Sequence, residues 1–176
     1  MLRTLLTLAV AASPLVAQGT KAAPRSPRTT RAAITAPAEP GRGSYVSARL
    51  NGKALPVTDR ATDDKGVQFL IEFDELILTV LPNREFRAAL RYRQTLAAKG
   101  DRIGRDPIQK MTVYGTFVSM GGNGLRFIPD PKRGGQGLRI LDGTFGARAI
   151  DVPFDYRNGS VSRRAQVSLL YNPHIF

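Results

Sequence analysis

The sequence predicts an all-β protein built as a single antiparallel, mostly up-and-down β-barrel of about eight strands, with a sandwich as the alternative. Three observations predict it. From residue 44 onward, short apolar segments are divided by turn signals, among them Asn51-Gly52, Gly121-Gly122-Asn123-Gly124, Asp142-Gly143 and Asn158-Gly159. Val67, Phe69, Ile71 and Phe73 recur at period two, the spacing of one face of a strand. The 176 residues contain no cysteine, so no disulfide can hold an open sheet shut, and closure into a ring is the means left to remove exposed edges.

Reading from residue 1, Arg3 supplies a positive n-region, Leu5 to Ala12 an apolar h-region, and Leu15-Val16-Ala17 before Gln18 a small-residue cleavage site. This is the pattern of a secretory signal peptide over residues 1–17, with a retained anchor as the alternative. The apolar run is broken by Ser13-Pro14 and falls short of the roughly 20 residues that a bilayer span needs. An exported, periplasmic protein is the expectation. Residues 18–43 are rich in Pro, Ala and Thr, with Ile34 as the one large apolar residue. They carry Lys21, Arg25, Arg28, Arg31 and Arg42 against Glu39. Such a stretch buries too little to offset its ordering entropy. It reads as a disordered or extended basic arm, either laid along an acidic partner or serving as a passive tether.

Residues 44–176 make the barrel domain. Tyr45 to Leu50 is the first strand, ended by Asn51-Gly52 in a tight hairpin turn. Ala54 to Val57 reads as an edge or lid segment because Pro56 lacks a ladder donor, and Thr58 to Gly66 as a polar loop. The run from Val67 continues through Glu75 to Leu81 and turns at Pro82-Asn83. Over residues 85–98, Phe86, Ala88, Leu90, Tyr92 and Leu96 share one parity, and Arg87, Ala89, Arg91, Arg93 and Thr95 the other. This is a long strand with a buried apolar face and a wet basic one; a helix competes on propensity. Gly100 to Pro107 is a polar connection, and Met111 to Met120 a central strand. Leu125 to Pro129 follows, then a loop from Pro131 to Gly137, then Leu138 to Leu141 running into a hairpin at Asp142-Gly143. Ala149 to Tyr156, the turn at Asn158-Gly159 and a last strand from Arg163 to Tyr171 complete the set.

Four of these pieces taken together, Tyr45 with Leu50-Asn51-Gly52-Lys53-Ala54-Leu55-Pro56, Tyr114-Gly115-Thr116-Phe117, Leu125-Arg126-Phe127-Ile128-Pro129 and Asp155-Tyr156, resemble the small lipocalin-like barrel proteins exported by some bacteria. The resemblance covers roughly residues 44–157. It implies a lipocalin-like barrel with an interior able to carry a small apolar ligand. The basic strand from Arg87 to Arg93 and the segment after Gly159 depart from that pattern.

The residue inventory argues against enzyme chemistry. His174 is the only histidine and stands near the carboxyl terminus, so the usual nucleophilic triads and the His- or thiol-based zinc sites cannot be assembled within one chain unless that histidine docks. Glu72, Asp74 and Glu75 cluster, yet neighbouring strand positions point to opposite faces, which separates Asp74 from Glu75. Asp59, Asp63 and Asp64 lack the alternating spacing of a calcium loop, and the glycine clusters lack the setting of a phosphate loop. No cofactor, metal site or catalytic residue is expected.

The formal charge of +12 draws such a protein toward anionic surfaces. Arg87, Arg91 and Arg93 form a row that Arg139 or Arg163-Arg164 extend, suited to carboxylate or phosphate contacts. Ile175 and Phe176 at the end of the chain either pack over a barrel opening or anchor another subunit. The expected partner-binding residues are therefore Arg25, Arg28, Arg31, Arg87, Arg91, Arg93, Ile175 and Phe176. The expected partner is an envelope or membrane protein with an acidic surface, anionic lipid headgroups or a small apolar ligand. Nucleic acid fits poorly, because a ladder of aromatics to stack bases is missing.

Overall fold

A computed structural model describes residues 39–98 and 105–175. The expected signal peptide, Arg25, Arg28 and Arg31 of the expected arm, and Phe176 lie outside the described residues. Strands β1 (Gly43–Leu50), β2 (Lys53–Ala54), β3 (Val57–Thr62), β4 (Gln68–Val80), β5 (Glu85–Leu96) and β6 (Gln109–Ser119) come first. They are followed by β7 (Gly124–Gly134), β8 (Leu138–Ile140), β9 (Gly143–Phe145), β10 (Ala149–Asn158) and β11 (Val161–Asn172). All pairings are antiparallel, and the β1 to β4 ladder joins the two sides of the sheet so that it closes partly in a ring.

Ten of the eleven strands fill eight positions around that ring, because two positions are shared, and β2 pairs with β1 alone. β1 pairs the second half of β4 (Val46 opposite Ile77) and β3 pairs the first half (Val57 opposite Phe73), both running the same way along it. Between them the chain loops out through the β1 to β2 hairpin and the cis Leu55-Pro56 peptide bond. At that hairpin Asn51 (φ 48°) and Gly52 (φ 78°) are both left-handed, the backbone a two-residue turn needs to match strand twist. Thr58 to Thr62 is thus strand and not loop. Its inward row is Val57, Asp59 and Ala61, and Arg163 on β11 holds the Asp59 carboxylate with two hydrogen bonds, at 2.7 and 3.1 Å.

β8 and β9 share a position beside β10, where Ile140 faces Phe154 and Phe145 faces Ile150. Asp142-Gly143 is therefore a jog along one edge and not a hairpin. Pro153 sits at the break with no N–H to donate, and its carbonyl accepts from the Leu141 N–H at 2.9 Å. β7 also runs further than the sequence suggested, through Gly134. Its partner on β6 jumps from Gly115 opposite Pro129 to Val113 opposite Gly134, so the two prolines fall in an irregular stretch.

The inward parity makes the core. Phe73 meets Phe154 and Tyr156 edge to face at 5.8 and 5.6 Å, Tyr156 meets Tyr92 at 4.9 Å, and Phe86 meets Phe127 at 5.2 Å. Each such fully buried side chain contributes about 1.5–3 kcal/mol over exposure. Gly115 is where β6 and β7 approach closest: a Cβ there would lie 2.1 Å from the Ile128 carbonyl oxygen. Leu96, expected on the buried parity, is exposed at the end of β5, where the neighbouring Thr95 is the buried residue.

Candidate functional site

Register places the outward side chains of β4, β5 and β6 in rows across the barrel wall. One row runs Ser44, Thr79, Arg87, Tyr114; the next Val46, Ile77, Ala89, Thr112; a third Glu75, Arg91, Lys110. Between them Tyr45, Leu78, Ala88 and Leu90 face the core, which fixes these rows on the outside. Ile175, beyond the end of β11, lies over them and completes a groove of about 160 Å3 with Ser44 and Thr79 on one side, Ile77 and Ala89 in the floor, and Arg87, Arg91 and Lys110 as its cations.

The structure thus gathers Arg87, Arg91 and Ile175, which the sequence offered as separate features. Ile175 covers the outer wall and does not pack over a barrel opening. Lys110, Ser44 and Thr79 were not anticipated. Extending the alternation of β6 one residue before Met111 would have found Lys110, which pairs with Arg91.

The arginine row is not uniform. Arg93 is engaged by Glu72 and donates through Nε to the Asp106 carbonyl at 3.1 Å, and it is only 18 % exposed, so it serves as a structural tie. Arg91 reaches Asp74 at 3.5 Å and Glu75 at 3.4 Å. Asp74 and Glu75 are therefore not on opposite faces. A β-bulge between Phe73 and Glu75 sets two residues against one on β5, and the inward parity passes from Phe73 to Leu76 across it. Neither Arg87 nor Lys110 takes part in any ion pair among the described residues.

Arg163 and Arg164 do not extend the row. They lie on β11, with Arg163 on Asp59 and Arg164 donating to both oxygens of Asp155 at 2.6 and 3.0 Å. The Arg164 guanidinium holds the Asp155 carboxyl below its ordinary range, partly against desolvation and with a smaller push from Arg139. At another place in the molecule Tyr156 donates to the Gln94 amide oxygen at 2.5 Å, and burial holds its phenol far above the usual range. Such a phenol acts as a hydrogen-bond donor and not as a base near neutral pH.

His174 is exposed, and its backbone N–H is bound to the Asn172 side chain. Among the described residues, no group of three His, Cys, Asp or Glu side chains is placed to hold a metal ion. Comparison with protein-family models, with curated proteins and with solved structures finds no match to this chain.

Proposed function

We propose that this protein is a non-enzymatic accessory or adaptor subunit, exported to the periplasm, that docks on a larger membrane-associated assembly through the outer face of β4, β5 and β6. The observation that carries this reading is the pair of cations, Arg87 and Lys110, which form no ion pair among the described residues and stand beside the apolar Ile77, Ala89 and Ile175. Among the described residues, several surface arginines are held by acidic neighbours instead, Arg91, Arg93, Arg163 and Arg164 among them. Free cations around an apolar patch suit an acidic protein surface, where charge steers the encounter and apolar contact holds it. A lipocalin-like carrier of a small apolar ligand is the weaker reading. Phe73, Phe86, Phe154 and Tyr156 occupy the middle of the barrel at no more than 1 % exposure.

Affinity capture from solubilised envelopes tests the proposal. The expected result is a stoichiometric partner with the wild-type chain and its loss with the Arg87→Glu, Lys110→Glu double variant. Recovery of a lone monomer under several mild conditions would overturn it. Amino-terminal sequencing of the protein from the same envelopes tests export, with Gln18 expected as the first residue.

A further inference from the structure

We infer that the groove under Ile175 takes one carboxylate carried on a short apolar stem, the group that an aspartate, a glutamate or a chain terminus of a partner protein presents. This rests on the docking reading above and names what its centre binds. The charge balance restricts the class to monoanions. Arg87, Arg91 and Lys110 bring three positive charges to the groove, and the Asp74 and Glu75 carboxylates on Arg91 return two, leaving one positive charge to be matched. A monoanion satisfies that balance, whereas a phosphomonoester over-compensates it.

The hydrogen-bonding groups agree. Ser44 Oγ and Thr79 Oγ1 lie 3.2 Å apart in the groove wall, and Ser44 is 1 % exposed. One hydroxyl proton occupies the contact between the two oxygens, so the other hydroxyl keeps a proton to donate. In register, Thr79 is directly opposite Arg87, which sets a hydroxyl donor beside a guanidinium fork. The remaining surface is apolar, from Ile77, Ala89 and Ile175. A volume of about 160 Å3 leaves room for a carboxylate on a short apolar stem.

Titration of the uniformly 15N-labelled full chain with sodium butyrate, n-butylammonium and inorganic phosphate tests this by NMR. Butyrate is expected to give saturable shifts at the Ser44, Thr79 and Ala89 amides, with affinity at least tenfold weaker in Arg87→Gln and in Lys110→Gln. Both side chains are exposed and outside the ion pairs among the described residues, so an otherwise unchanged amide spectrum is expected to show that the variants remain folded. Equal response to n-butylammonium, tighter binding of phosphate, or undiminished butyrate binding in both variants would overturn the inference. If butyrate fails at these amides while envelope capture still succeeds, the groove is wrong and docking uses another face. If butyrate binds while capture recovers nothing, the carboxylate site stands and the docking reading falls.

Discussion

At Gly115 the β6 and β7 backbones come so close that a methyl group has no room: it would meet the Ile128 carbonyl oxygen at 2.1 Å and the Phe86 ring at 2.8 Å. Since backbone is the obstacle, the strands must separate to admit it. Gly115→Ala is expected to cost about 1–3 kcal/mol, read as a lower urea midpoint with unchanged slope. Asp155 has its carboxyl lowered, chiefly by the hydrogen bond from Arg164. A depressed carboxyl stabilises the fold above its unfolded value of about 3.9, and that contribution is lost as pH falls through the folded value. Arg164→Gln should therefore lower stability at neutral pH. Its difference from the wild type should shrink toward zero as pH falls below the folded Asp155 value, as urea unfolding at a series of pH values would show. Equal differences at every pH would assign the effect to packing of the arginine stem instead.

Strands differ in how openly their sequence declares them. β1 and its hairpin were legible because Asn51-Gly52 is the dipeptide that takes two left-handed residues in succession. The bulge in β4 left a readable trace as well, since the inward residues pass from Phe69, Ile71 and Phe73 to Leu76, Leu78 and Val80. That change of parity requires one extra residue, and the extra residue is what lets Asp74 and Glu75 share Arg91. β3 was not legible: its inward row includes Asp59, whose partner Arg163 lies 104 positions away, so nothing local marks the segment as strand. The groove was half legible. Arg87 and Arg91 follow from alternation, but Ile175 and Ser44 join them only through the pairing of the first strand with the fourth and the last. For the β3 contact, a double-mutant cycle with Asp59→Ala and Arg163→Ala should give a coupling of about 0.5–1 kcal/mol. The geometry is bidentate, while partial exposure and salt limit the gain.

The interior is a single apolar mass in which Phe73 touches both Phe154 and Tyr156. Phe73→Ala should lose about 3–5 kcal/mol, seen in thermal or urea unfolding, because edge-to-face neighbours on β10 cannot collapse into the space. The ring itself depends on β1 having β4 on one side and β11 on the other. Residues near the start of the domain consequently wait for residues near its end: Tyr45 finds Tyr171 only after the entire intervening chain has been made. An antiparallel meander from β4 to β7 can assemble from neighbours, but the seam cannot, and such distant pairing is what slows folding and leaves strand borders open to other chains in the meantime. A chain stopped before β11 would have no means of sealing itself, and its first strand would be left as a template for whatever extended segment it met next.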